Sequence, residues 1–311
     1  MNSATDQIRI QQNAPISTWF HIGGRAERLA MPTSQTQLLT CLSLDDQLRV
    51  LGEGANLLVD DAGVSSLVVS LQQGEFTEVQ IDPVSGIVRA GAGVALPALI
   101  NRCVREGLGG LEVLAGIPAS VGGAVIMNAG GAFGQLSDVV LQVSAIDRAG
   151  RKHQYDRTQI DFGYRRSHLN HLIVTEAVFQ LTPGDQEQIS AERARCMQYK
   201  SESQPLSEKS AGCVFKNPTL VEPIEGIGSP RERVSAGMLI DRAGCKGLTH
   251  EGATVSTLHA NFITTSADTS ARAVIELIER VRERVFDRFG VALQNELVVW
   301  SDTQDITRGE S

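Results

Sequence analysis

The chain has 311 residues, 42% of them apolar and 21% charged, and carries a net charge of −8. That length is more than one hydrophobic core commonly holds, so two or three domains are expected; an acidic balance with no basic tract excludes a dedicated nucleic-acid role. No apolar run reaches the roughly 18–20 residues that span a bilayer, and the polar start MNSATDQIRIQQNAP lacks the apolar core of a signal peptide, so a cytoplasmic protein with no membrane partner is expected.

The first half reads as short strands separated by glycine turns. Apolar runs of strand length lie at 49–51, 57–59 and 66–71. Residues 76–81 and 87–90 predict a hairpin around the turn Asp82-Pro83-Val84-Ser85-Gly86. A helix is predicted over 96–106, with Pro97 in its first turn, Leu99, Ile100, Cys103 and Val104 on its apolar face, and Gly107 as its stop. Strands follow at 139–147 and 172–181. Composition then shifts: 186–199 is a polar helical stretch and 201–210 a polar linker, which puts a domain boundary near Thr182–Pro183. Val274, Leu277, Ile278, Val281, Val285 and Phe289 recur at helical spacing within 268–289, and Gly290 caps that helix. It is scaffold, with no chemistry assigned.

Cysteine usage is uninformative except at one position. Five cysteines, with no CxxC pair, argue against a disulfide framework or a structural zinc site, and no metal is expected. Cys41, Cys103, Cys196 and Cys245 sit among apolar or helical neighbours and read as small buried hydrophobes. Cys213 stands instead in Ser210–Pro218, SAGCVFKNP. Gly212 leaves room beside an ionisable thiol, and Lys216 and Asn217 can grip an anionic or polar substrate.

Two glycine-rich segments suggest a ligand. In Gly52-Glu53-Gly54-Ala55-Asn56-Leu57 the spaced glycines expose backbone N–H groups that can cradle a pyrophosphate; the alternative is an ordinary hairpin turn. The longer stretch Gly116-Ile117-Pro118-Ala119-Ser120-Val121-Gly122-Gly123 runs on to Asn128-Ala129-Gly130. No core element is expected to tolerate so many glycines, whereas a backbone that must approach a flat or phosphorylated ligand requires them. Neither segment is a Walker A loop or a Rossmann fingerprint, which points to a nucleotide-bearing cofactor in a different fold.

Taken in order, these motifs resemble those of the UDP-N-acetylenolpyruvoylglucosamine reductases. GEGANLLV is similar to their GxGSNLLV loop, LAGIPASVGGAVIMNAG to LxGIPGxVGGAxxMNAG, FGYRRS at 162–167 to FxYRxS, and SAGCVFKNP to AGSxFKNP. Residues 236–241, 244–247 and 259–262 resemble their third-domain signature, and Glu296 follows the long helix as a Glu does in the family. The likeness runs from about Thr18 to Trp300 and looks like the shorter, second type, without a tyrosine-bearing insertion. It implies an α+β fold: an FAD-binding part of the vanillyl-alcohol oxidase type over residues 1–182, in two subdomains split near 70–75, plus a C-terminal α+β substrate domain over 183–311.

The resemblance further implies non-covalent FAD, NADPH as hydride donor, a UDP-amino sugar enolpyruvyl ether as small-molecule substrate, and a monomer acting in peptidoglycan precursor synthesis. Arg165 of the third motif would hold the substrate carboxylate, with Arg166 the alternative cation. Glu296 would stabilise the enolate as a neutral acid, which requires burial. Cys213, in place of the usual Ser, would donate the proton; a thiol's ordinary pKa, near ~8.5, makes it an easier donor than a hydroxyl. Tyr164, Lys216, Asn217 and Gln204 (of a Gln-Pro pair) would contact the substrate. Ala55 replaces the family's Ser and removes one hydroxyl from the first loop. Two other readings stay open: a flavin oxidase of the same cofactor fold, and a catalytically silent flavin- or UDP-sugar-binding protein.

Overall fold

The structure, a computed structural model, describes residues 8–302. Two compact units make up the described residues: 8–14, 26–53 and 65–200 form one, and 15–25, 54–64 and 201–302 the other.

The first unit holds two larger sheets and two short two-stranded pairs. One larger sheet has the order Ile10–Pro15, Arg25–Ala30, Val64–Ser70, Arg49–Leu51, the last two strands parallel with Val50 opposite Val69. Helix α1, Gln35–Leu44, starts where the Ser34 hydroxyl accepts the Gln37 N–H. It ends at Asp45, whose carboxylate accepts from Leu67 N–H at 2.7 Å and from Arg28 at 2.9 Å, so one acid ties helix end to sheet. The other sheet is antiparallel throughout, ordered Lys152–Asp156, Val140–Ile146, Ile173–Gln180, Ile87–Gly91, Val79–Asp82. Helix α2, Leu96–Arg105, buries Leu96, Leu99, Ile100, Cys103 and Val104. That is the stripe its sequence period predicts.

The expected strand over 76–81 is shifted. Gly74–Thr77 is a 3₁₀ turn with Phe76 at its buried point, and pairing begins only at Val79. The more instructive difference lies in the second glycine-rich stretch. Residues Val121–Ile126 are a helix, α3, capped by Ser120 and packed on the Ile173–Gln180 strand with Val121, Ala124 and Val125 buried. A core element does tolerate these glycines, because one of them lets helix and sheet approach. A Cβ at Gly122 would lie 3.0 Å from Ala92 Cβ, and its N–H donates to Ala92 O at 2.8 Å.

Helix α4, Gln186–Ser203, runs four residues further than its polarity suggested. The compact units also fall differently from the boundary expected near 182–183. Thr182–Pro183 pairs with Leu108–Gly109, and Ile189 packs on the first unit's core, so the chain stays with that unit as far as Lys200.

The second unit is built around a parallel pair, Leu57–Val59 with Val298–Trp300. Asp60 N–H extends it by donating to Trp300 O, and Gly24 N–H donates to Asp60 O, which binds the two N-terminal segments into this unit. A meander of Thr249–His250, Ala253–Val255 and Ile263–Thr265 packs on α6, Ala271–Phe289, and the short α5, Ala236–Arg242, packs on α6 as well. Ser270 caps α6, Asp61 accepts the Ala271 and Arg272 N–H groups, and Gly290 closes the helix at φ +66° as its position predicts. Val274, Leu277, Ile278, Val281 and Val285 are buried in the unit's core with Phe20, Leu58 and Phe215.

Cys41, Cys103, Cys196 and Cys245 are buried and free, as expected; burial raises the thiol pKa of Cys41 to about 11 and of Cys103 to about 12, so both are inert at neutral pH. Among the described residues no helix is long and apolar enough to cross a membrane.

Candidate functional site

In the first unit the candidate residues gather where α3 ends. Asn128, 1% exposed and at φ +41°, spends its whole side chain on the protein. Its Nδ2 donates to Gly163 O at 3.0 Å and to Gln135 Oε1, while its Oδ1 accepts the Ser137 N–H. The Ser167 hydroxyl donates to Ile126 O. These bonds sew the 163–167 turn to the end of α3. Within the turn, Gly163 and Arg166 exchange backbone bonds, and Arg165 adopts φ +56°, a conformation that non-glycine residues reach only when the surroundings impose it. Its guanidinium lies 5.3 Å from the Tyr164 ring centroid and donates to Gly130 O at 2.9 Å. Arg165 is half-buried and Arg166 exposed. Of the two arginines, Arg165 is thus the one fixed against the end of α3.

The second glycine stretch divides by physical cause. Val121 and Ala129 are buried, so only their backbone can face a ligand. Ser120 uses its hydroxyl to cap α3, and a Cβ on Gly52 would lie 2.7 Å from that hydroxyl. Ile117 and Pro118 are half-buried, and Ile117 packs on the core. Gly123 and Gly131 need neither positive φ nor close packing. A Cβ at Gly131 would meet nothing within 4 Å, and one at Gly123 only the Ser120 Oγ at 3.3 Å. Both are exposed, and a glycine inside a helix costs about 1 kcal/mol relative to alanine. An open backbone surface of this kind fits a flat cofactor such as FAD, which would lie where side chains would otherwise stand.

The first loop is no hairpin: Arg49–Leu51 pairs with Val64–Ser70 and Leu57–Val59 with Val298–Trp300. Gly54 is obligatory, with φ +65° and a would-be Cβ 2.1 Å from Ser17 O. Leu57 is buried in the strand pair, while Ala55 is half-buried. The Asn56 amide donates to Glu296 O at 3.0 Å, and Asn56 O accepts Val298 N–H. Asn56 therefore holds the Glu296 segment in place.

Cys213 begins an extended segment bonded on both sides. Val214 N–H donates to Asn261 O at 2.8 Å on one side; on the other, Val214 O accepts the Glu296 N–H at 2.8 Å and Lys216 N–H donates to Gln294 O. Cys213 bridges Phe262, and Phe215 bridges Asn295. Half-buried Cys213 and half-buried Glu296 are thereby brought onto adjacent strand-like segments. Gly212 is needed for its conformation: φ is +79°, and a Cβ there would find only Ala55 O, at 3.9 Å. Space, the reason its sequence context suggested, is secondary. Asn217 uses its Oδ1 to accept the Ala236 N–H at the start of α5, and Gln204 is half-buried beside buried Pro205. His259 is structural: burial pushes its pKa down, and its Nδ1 accepts the Asn261 N–H.

Lys200, a buried cation on α4, carries no signal in the sequence. Asn261 falls in the 259–262 motif, which assigns it no role, and it clamps Phe215 from both ends.

This arrangement of segments has known counterparts. Residues 26–155 match the profile of an FAD binding domain, and 204–300 that of the UDP-N-acetylenolpyruvoylglucosamine reductase C-terminal domain. The UDP-N-acetylenolpyruvoylglucosamine reductase of Moorella thermoacetica is 39% identical over 303 residues, 95% of each chain. The chain belongs to the UDP-N-acetylenolpyruvoylglucosamine reductase family. The Azorhizobium caulinodans reductase is 36% identical over 93% of this chain and 91% of its own. The crystal structure of the Thermus caldophilus reductase superposes with a TM-score of 0.78 at 37% identity, covering 95% of this chain and 99% of that one. The α+β architecture, the FAD-binding domain and membership of an FAD-binding oxidoreductase family of enzymes are thus established.

Proposed function

We propose that the enzyme reduces the enolpyruvyl ether of UDP-N-acetylglucosamine enolpyruvate to the lactyl ether of UDP-N-acetylmuramate, a step of peptidoglycan precursor synthesis. The observation that carries this reading is the backbone bond that sets the Cys213 segment beside Glu296, in a chain 39% identical to a reductase of that name over 95% of its length. FAD, when bound, would supply the hydride chemistry, with NADPH as the reductant.

The remaining chemistry falls to this chain. Arg165 holds the carboxylate through two parallel bonds from a guanidinium that cannot lose its charge. Glu296 donates a hydrogen bond to the oxygen on which enolate charge collects. The Cys213 thiol delivers one proton to the carbon bearing the ether, and the thiolate left behind recovers its proton from solvent. Lys216 and Tyr164 contact the substrate, with Asn217 and Gln204 bordering it. The backbones of Gly52–Leu57 and Gly116–Gly123, with Asn128–Gly130, carry the cofactor. Functionally, residues 1–182, apart from Tyr164 and Arg165, serve FAD in two subdomains, and 183–311 serve the substrate. We place the enzyme in the cytoplasm as a monomer.

The test separates the two half-reactions under anaerobic conditions. NADPH should bleach the bound flavin in wild type and in Cys213→Ala alike. Added enolpyruvyl substrate should restore the yellow colour in wild type only. Normal recovery in Cys213→Ala would remove Cys213 as proton donor. Bleaching without recovery in wild type would favour an oxidase-type flavoprotein with another substrate, and failure to bind flavin would favour the silent binding protein.

A further inference from the structure

Lys200 lies in the last turn of α4 and is 7% exposed. Its stem runs across the second glycine-rich stretch: a Cβ at Gly116 would lie 3.0 Å from Lys200 Cδ and 2.9 Å from Met197 Sδ. Gly116, at φ +77°, thus admits a lysine against its backbone. Among the described residues the ionisable groups that act on Lys200 are Arg165, from the 163–167 turn, and Cys196, on its own helix, with no carboxylate among them. The Cys196 thiol is itself pushed up in pKa by burial and donates to Glu192, so it stays neutral and offers no counter-charge.

A buried ammonium without a counter-charge, close enough to a guanidinium to be repelled by it, is costly in the empty protein. An anion arriving between the two cations reverses that cost. The catalytic reading above leaves Lys200 with no role, yet already places a carboxylate on Arg165. We propose that Lys200 and Arg165 together hold the ligand's carboxylate, Lys200 being the cation that is completed only when the carboxylate arrives. This rests on the proposed reaction and adds a residue to its binding step.

Burial, reinforced by Arg165, lowers the Lys200 pKa to about 8. Around pH 8 Lys200 is then only about half charged in the empty site. A carboxylate beside Lys200 restores the ordinary high pKa, so binding draws a proton from the buffer onto the amine. At pH 8.5 about three-quarters of a proton should be taken up; well below pH 7 uptake should vanish, because the amine is already charged.

The experiment is calorimetric titration of the FAD-loaded enzyme with UDP-N-acetylmuramate, at pH 6.5 and pH 8.5, each in two buffers of different ionisation enthalpy. UDP-N-acetylglucosamine, which has the diphosphate but no carboxylate, is the control ligand. Uptake at pH 8.5 with the muramate alone, lost in both Lys200→Met and Lys200→Arg, supports the proposal. Lys200→Arg should keep an affinity within about threefold of wild type, because its charge is permanent; Lys200→Met should lose tenfold or more. Unchanged uptake in the variants would overturn the assignment to Lys200, and equal uptake with UDP-N-acetylglucosamine would move the anion to the diphosphate and overturn the carboxylate. If the muramate does not bind at either pH, the proposed reaction itself fails.

Discussion

Asn261→Ala should be among the most damaging single changes in the second unit. The pairing of residues 213–216 with 294–297 uses Val214 O and Lys216 N–H, so the N–H and C=O of Phe215 face the opposite way. There they meet one side chain. Asn261 Oδ1 accepts the Phe215 N–H at 3.0 Å, and its Nδ2 donates to Phe215 O at 2.8 Å. Phe215 is 1% exposed and Asn261 3%, so water cannot substitute. Truncation strands one buried donor and one buried acceptor, at about 1–3 kcal/mol each, or roughly 2–6 kcal/mol together. Asn261→Leu, which fills nearly the same volume, should lose about as much, and this separates the hydrogen bonds from a cavity effect. Denaturant titration of each variant at one saturating FAD concentration gives the loss directly; thermal melting should show a fall of roughly 5–15 °C. A loss under about 1 kcal/mol in both variants would mean that Phe215 finds other partners, and the clamp would be refuted.

Two further outcomes follow from positions where packing and charge conflict. Gly122→Ala should destabilise by about 1–3 kcal/mol through its contact with Ala92 Cβ, and Ala92→Gly in the same chain should recover part of that loss; additive losses in denaturant titration would place the strain elsewhere. Lys200→Met should stabilise the ligand-free holoenzyme at pH 7. The folded-state pKa of about 8 lies below the ordinary 10.5, so the penalty on wild type is full below pH 8 and fades as pH rises to 10.5. The advantage should reach about 3 kcal/mol at neutral pH and vanish near pH 10.5, and a pH-independent difference would show that charge is not its cause.

What the sequence shows plainly is what local physics decides. The apolar stripe of α6 and its Gly290 cap are legible because a 3.6-residue period and a left-handed closing residue are local requirements. Helix α3 is illegible because Gly122 and Gly123 argue against any helix; the approach of Ala92, distant in sequence, overrides propensity. Phe76 reads as a strand residue by type, yet its backbone turns because a buried aromatic can anchor a 3₁₀ turn equally well. Lys200 looks like any polar residue of a polar helix, and only the fold shows that its face is buried.

The asparagines share a single logic. Asn56 donates to Glu296 O, Asn128 to Gly163 O beside Arg165, and Asn261 both donates to and accepts from Phe215, two residues beyond Cys213. Each candidate reactive side chain sits on a short segment in which some backbone groups are met by an asparagine side chain and not by a neighbouring strand. A primary amide can donate and accept at once without carrying charge. A carboxylate in its place would repel the carbonyl, and an ammonium would leave the N–H unmet. The motif asparagines that look like ligand contacts therefore act first on the backbone, and the reactive groups inherit their aim from those bonds.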